Sequence, residues 1–317
     1  MHVLVTGGAG FVGQAVCDRL ERDAVQVTKT VRTLNDEQKA ARNAVALGDI
    51  GADTDWRSVL EGIDVVVHLA ARAHVLKESH AEPLVEFRRV NVDAALALAQ
   101  QAAAAGVKRF VFISSIGVNG NVTGETPFAE HSRPAPHAPY AQSKLEAEEA
   151  LERFTKTTSM ELVIIRPPLV YAAHAPGNFR RLLQLVASGI PMPFASINNR
   201  RSMIALDNLA DFITCCVRHP AAGGQTFLIS DDEDLSLPGI LHLLGEGMGK
   251  KVRLLPVPSS LMAAGAGLLG KKNLYTQLCC SLQVDSSKCR ELLGWVPPLS
   301  ASDALLATGK KYRELRG

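Results

Sequence analysis

Eight residues near the amino terminus, Thr6-Gly7-Gly8-Ala9-Gly10-Phe11-Val12-Gly13, constrain this chain more than any other stretch. The β-branched run Val3–Thr6 stands before them and a helical pattern, Phe11–Glu21, follows. A glycine turn alone says little. One that ends a strand and opens a helix has the context of a dinucleotide-binding loop. Gly7 allows the tight turn, Gly10 lets a pyrophosphate approach the backbone, and Gly13 permits close packing of helix on strand. The free N–H groups and positive dipole end of the helix then face the phosphates.

Strand patterns recur at Val25–Val31, Val65–Ala70, Phe110–Ser114 and Leu162–Arg166, separated by helical stretches at Trp56–Leu60, Val90–Ala105 and Tyr140–Thr155. This alternation predicts an α/β fold of the Rossmann type, a doubly wound parallel sheet. The runs VVVHLA and FVFIS are apolar throughout, as strands covered on both faces should be. After Pro167-Pro168 the texture changes to loops rich in Ala, Pro, Gly and Asn, followed by a helix at Asp207–Val217 and a short strand at Gln225–Ile229. The expected division is a cofactor-binding domain over 1–170, with 203–230 returning to it, and a smaller, mostly helical substrate domain over 171–317.

The end of the second strand bears on the choice of coenzyme. An acid there would hold the ribose 2′-hydroxyl of NAD, whereas an Arg suits the 2′-phosphate of NADP. The chain reads Val27-Thr28-Lys29-Thr30-Val31-Arg32-Thr33, with no carboxylate. Arg32 is therefore expected at the 2′-phosphate, assisted by Thr33 or Lys29, with stacking on adenine or exposure to solvent as the competing readings. NADP(H) is preferred and NAD(H) is the alternative. Asp49 is placed either to accept from the adenine amino group or to cap a helix.

Tyr140 and Lys144 stand at i and i+4 and share a helix face. A phenol titrates near about 10, and a neighbouring ammonium should lower that value toward the working range. Ser114-Ser115, at the end of a predicted strand, can bring a hydroxyl to the same carboxyl edge of the sheet.

Together TGGAGFVG, Gly48-Asp49-Ile50, His68-Leu69-Ala70-Ala71, Asn91, FISS, YAQSK and the late DSSKCREL segment resemble the extended short-chain dehydrogenase/reductases, and within them the nucleotide-sugar epimerase, dehydratase and reductase branch. The resemblance spans essentially the whole chain. It implies that Tyr140 is the acid/base, that Lys144 binds the nicotinamide ribose, and that Ser115 rather than Ser114 hydrogen-bonds the reacting sugar oxygen. It also implies cofactor contacts from Phe11, Val12, Ile50, Leu69, Ala70, Ala71 and Asn91. On the substrate side it implies Asn178 and Phe179 near phosphates or uracil, and Arg201 as a diphosphate clamp. Dehydratases of this family carry an acid after the catalytic hydroxyl; here stand Ile116 and Gly117, which cannot move protons. Asp285-Ser286-Ser287-Lys288 reads as a helix cap and brace.

Arg32 tilts the reading toward an NADPH-dependent 4-ketoreductase, and the resemblance implies a UDP-4-keto-6-deoxy-N-acetylhexosamine as its substrate. The alternative is a 4-epimerase of UDP-glucose or a UDP-N-acetylhexosamine, whose sugar could instead be lipid-linked. A non-catalytic dinucleotide sensor is the reading from another class, disfavoured because the Tyr–Lys pair is kept. The formal charge of +2 argues against a nucleic-acid partner. Six cysteines without a C-x-x-C, and nine histidines without H-x-H or H-E-x-x-H, suggest neither a disulfide framework nor a metal site. No basic leader or membrane-spanning run is read, so a cytoplasmic location is expected, with a homodimer left open. His68 is expected in the core or the cofactor loop, and His74, His137 and His174 in loops. The apolar Leu261–Leu269 stretch is expected to pack within the smaller domain, a membrane-touching surface being the alternative.

Overall fold

The computed structural model describes residues 1–34, 43–72 and 83–316. Its centre is a parallel sheet of seven strands: β1 (His2–Thr6), β2 (Gln26–Val31), β3 (Ala44–Ala46), β4 (Val65–His68), β5 (Arg109–Ile113), β6 (Glu161–Arg166) and β9 (Thr226–Leu228). Their spatial order is β3-β2-β1-β4-β5-β6-β9, every neighbouring pair parallel. The order reverses at β1, which creates a crevice between the carboxyl ends of β1 and β4.

Both faces of the sheet are covered. On one side Val3, Val5 and Val67 pack against α1 (Phe11–Arg22) and a later helix, α7 (Leu206–Arg218), together with Trp295. On the other, Leu4, Val66, Phe110 and Phe112 meet α2 (Arg57–Leu60), α4 (Ala94–Ala104) and α5 (Pro139–Thr155), with Trp56 fully enclosed. Each such side chain contributes about 1.5–3 kcal/mol through its burial. This two-sided demand explains the continuous apolar runs of β4 and β5.

Strand β4 stops at His68, two residues before the strand read from sequence. The Thr6 hydroxyl accepts a hydrogen bond from the Ala70 N–H at 3.2 Å, which draws the chain out of the ladder and over the glycine turn. The helix read as Val90–Ala105 is preceded by α3 (Pro83–Arg88) and reaches α4 through a π turn at Arg89–Asp93. The loop-like texture after Pro168 conceals a separate parallel pair, β7 (Leu169–Tyr171) and β8 (Met203–Ala205).

A second core holds Tyr171, Phe179, Leu183, Leu241 and Leu305, from β7, α6 (Gly177–Ser188), α8 (Leu237–Gly247) and α12 (Ala301–Glu314). The helix α9 (Ser259–Leu268), expected to be packed, buries no residue. It is apolar but lies on the surface, joined to α10 (Lys272–Cys279) in a short hairpin. The last helix before α12 is α11 (Ser287–Leu293). No described helix is long and apolar enough to cross a membrane.

Candidate active site

The glycine turn is dictated by steric limits that can be read atom by atom. Gly7 has φ +69°, and a Cβ there would lie 2.9 Å from the Ala70 nitrogen. A Cβ on Gly13 would lie 2.1 Å from the Gly7 carbonyl oxygen, a backbone atom that cannot step aside. Gly10, by contrast, is exposed and precedes α1 with no side-chain cap and no acid in the first helical turn. The helix therefore offers uncapped N–H groups to a cleft of about 750 Å³ lined by Gly7, Gly10, Thr30, Ile50, Leu69 and Ala71. The cradle fits the pyrophosphate of a dinucleotide.

Arg32 and Asp49 stand at the rim of this cleft and bind each other, Nε to Oδ1 at 2.8 Å. The sequence expects them at separate points of the adenosine; here both border the cleft, and their largely exposed pair joins the ends of β2 and β3. Lys29 lays its stem over Gly8, whose added Cβ would meet it at 2.5 Å. Phe11 meets His174 edge-on at 5.2 Å, so the loop after β7 reaches the start of α1. Val12 packs against the sheet core.

Asn91 sits in the π turn and spends its amide on protein partners. It accepts from Arg72 N–H at 2.8 Å and donates to the Arg72 carbonyl and to Ser143 Oγ at 3.0 Å. Its side chain thus ties the loop after β4 to α5.

On α5, Tyr140 packs edge-on against Phe87, with ring centroids 6.1 Å apart. Burial pushes its phenol up to about 12, and no lowering from Lys144 accompanies it, which corrects the direction expected from the i, i+4 spacing. Lys144 is itself buried and donates to the Ile113 carbonyl at 2.8 Å, with its ammonium 4.5 Å from the centre of the Phe112 ring. Burial brings Lys144 down to about 7, partly opposed by Glu148. Ser115 caps the turn Ile116–Val118 by accepting from Gly117 N–H at 3.1 Å, leaving its O–H free to donate. A Cβ on Gly117 would lie 3.2 Å from Ala141 Cβ and 3.3 Å from Ser115 Oγ, so Ser115 and the first turn of α5 are neighbours. Ser114 is buried and its hydroxyl has no partner among the described residues.

The expected substrate residues divide. Asn178 is half-buried at the start of α6 and donates to Gln277 of α10 at 2.6 Å. Phe179 turns its ring into the second core against Tyr171, centroids 5.5 Å apart, which leaves only its backbone for a ligand. Arg201 is half-buried, and its one side-chain hydrogen bond among the described residues goes to the Cys280 carbonyl at 3.1 Å. Burial lowers its pKa, the condition of a cation short of counter-charge. His137 is exposed just before α5, and His74 lies outside the described residues.

A family model described as the NAD dependent epimerase/dehydratase family matches residues 3–230. The chain belongs to this family. It is 40% identical, over 98% of its length and 95% of the relative, to a UDP-glucose 4-epimerase of Vibrio cholerae. It is 27% identical, over 96% and 93%, to an N-acetyl-alpha-D-glucosaminyl-diphospho-ditrans,octacis-undecaprenol 4-epimerase of Escherichia coli O157:H7. Among solved structures, UDP-glucuronic acid 4-epimerase from Bacillus cereus in complex with NAD superposes with TM-score 0.79 at 21% identity, covering 99% of each chain. The protein is thus an NAD-dependent nucleotide-sugar enzyme of the epimerase or reductase kind.

Membership gives context to residues that sequence reasoning passed over. Arg166, at the end of β6, and Glu148, one turn beyond Lys144, form a buried ion pair, with Nε 3.0 Å from Oε1. The Arg166 guanidinium also donates to Asn119 Oδ1 at 3.1 Å. A Glu four residues after Lys144 was the available signal, but its partner lies 18 residues away on another element. His68, 2.8 Å from the Thr6 hydroxyl and stacked beside Phe112, is held neutral because burial and Lys144 bring it down to about 3.

Proposed function

We propose that the protein is a 4-epimerase of UDP-hexoses or UDP-N-acetylhexosamines that works with NAD. The observation that carries this reading is the 40% identity, over nearly the whole of both chains, with the Vibrio cholerae UDP-glucose 4-epimerase. The sequence favours a 4-ketoreductase because Arg32 suggests NADPH consumption. The 40% identity outweighs that single residue, whose exposed pair with Asp49 at 2.8 Å favours neither coenzyme. A carboxylate-free Ile116-Gly117 supports chemistry at C4 without loss of water.

Gly7, Gly10 and the uncapped N–H groups of α1 would hold the pyrophosphate of the dinucleotide, and Asp49 with Ile50 would border its adenosine. Bound NAD supplies a hydride acceptor and donor beside the sugar. Tyr140 takes the C4 hydroxyl proton and returns it, while the free O–H of Ser115 donates to the same oxygen. Lys144 holds the ribose from within the sheet edge. Arg201 neutralises the diphosphate, its fork matching two oxygens. Residues 1–170 with 203–230 form the coenzyme half of the molecule, and the remainder of 171–317 the sugar half.

The deciding experiment offers UDP-glucose and UDP-N-acetylglucosamine without added coenzyme and follows both C4 epimers and the reduced-nicotinamide absorbance. Interconversion with no net coenzyme change is expected, and Tyr140→Phe should slow it about 10²–10⁴-fold. Stoichiometric NADPH oxidation by a 4-keto sugar, with no interconversion, would overturn the reading.

A further inference from the structure

Between Glu246 and Asp285 the chain carries no acidic residue and five basic ones, Lys250, Lys251, Arg253, Lys271 and Lys272. Within this span, Leu254 to Gly270 bears no charge at all. A soluble domain normally buries such a stretch, yet α9 has no buried residue. Leu261 is 64% exposed, and Leu268 and Leu269, at the tip of the α9–α10 hairpin, are 90% and 72% exposed. Lys271 and Lys272 follow immediately and are exposed as well. None of the five basic side chains forms an ion pair among the described residues.

The hairpin is built to hold this shape. Lys271 N–H donates to the Ala266 carbonyl at 2.7 Å, Gly270 takes φ +66° at the turn, and Tyr275 Oη donates to the Ser259 carbonyl at 3.2 Å. Only Met262 from α9, and Leu278 with Cys279 from α10, lean on the second core. The opposite side therefore presents leucines next to unpaired lysines.

We propose that the α9–α10 hairpin docks the protein on an anionic lipid surface. Leu268 and Leu269 enter the boundary between headgroups and acyl chains, while Lys271 and Lys272 meet lipid phosphates. The charge complementarity selects this occupant over a second copy, because two copies would bring lysine against lysine. A single apolar or basic signal gives only marginal binding, whereas two together hold a protein on the surface, and the hairpin supplies both. Asn178 is held by Gln277 near the far end of α10, and Arg201 by the Cys280 carbonyl that follows it, so the candidate diphosphate site hangs on the same hairpin. The attachment stands apart from the identity of the sugar, since it needs no substrate.

The test is co-sedimentation of the full chain with vesicles of phosphatidylcholine alone and of an equimolar mixture with phosphatidylglycerol. Binding to the mixed vesicles only, weakening as salt is raised, is expected. Each lysine near anionic lipid is worth roughly fivefold, so Lys271→Glu with Lys272→Glu should lower partitioning by about 25-fold or more. Leu268→Ser with Leu269→Ser should lower it about tenfold or more. Both variants should turn over soluble nucleotide sugar like the parent, which separates this result from any failure of the epimerase reading. Equal partition onto neutral and anionic vesicles, or no loss in the lysine variant, would overturn the proposal. So would a dimer in sedimentation velocity that the leucine variant dissociates while the parent ignores vesicles.

Discussion

Replacing Glu148 with Gln tests the reasoning about the floor of the active site most sharply. The carboxylate is 2% exposed and its partner Arg166 is 7% exposed, so neither charge can turn to water. Gln keeps the size and one acceptor but leaves the guanidinium with Asn119 as its only other side-chain partner. Removing one member of a buried pair costs about 3–5 kcal/mol, a large part of the roughly 5–15 kcal/mol that holds a folded protein together. At about 2 °C per kcal/mol for a chain of this size, the midpoint should fall by roughly 6–10 °C. Equilibrium unfolding in urea, followed by far-ultraviolet circular dichroism, gives the free energy directly. Combining Glu148→Leu with Arg166→Met removes both charges and should recover most of the loss. Glu148 is also what raises Lys144 against the lowering effect of burial. Its loss therefore moves Lys144 further below about 7, and the limb of the activity profile that reports the lysine should shift toward acid. A Gln variant within about 1 kcal/mol of the parent, with an unmoved profile, would refute this reasoning.

Two further outcomes follow from single distances and a single shift. Gly13→Ala puts a methyl 2.1 Å from the Gly7 carbonyl, so the turn must open; NAD affinity by calorimetry should fall at least tenfold while the far-ultraviolet spectrum stays folded. Asp231 is buried beneath Tyr171 and Asn208, and burial raises its carboxyl from 3.8 to about 6. Because the folded value is the higher one, its contribution to stability is complete below the unfolded value and is lost as pH rises through about 6. The change is worth about 3 kcal/mol, and unfolding free energies measured from pH 4 to 7 should show that slope flattened in Asp231→Asn.

The turn between β1 and α1 was legible because much of what constrains it is local. Gly13 stands against the Gly7 carbonyl six residues away, although Gly7 itself is hemmed in by Leu69 and Ala70 from the loop after β4. The strands of the large sheet were legible for a related reason: burial on both faces writes an uninterrupted apolar run. A β-like run is readable between Arg201 and Asp207, but its pairing with β7 is not, because three-residue strands are too short for a period to show. The side-chain chemistry of the site was read more poorly. Spacing places Tyr140 and Lys144 on one helix face, but their acidities follow from desolvation. Lys144 is drawn to the Ile113 carbonyl by the packing of α5 on β5, and that is a matter of enclosure rather than of order along the chain.

Sequence alone therefore determined the parallel sheet, the glycine cradle and the residue types gathered at its edge, since local period and steric need are written in neighbouring residues. Tertiary structure alone decided that Arg32 meets Asp49, that Asn91 is spent on Arg72 and Ser143, and that α9 stands outside the core. Those outcomes depend on which surfaces the folded chain brings together and which it leaves to solvent, and no spacing encodes that.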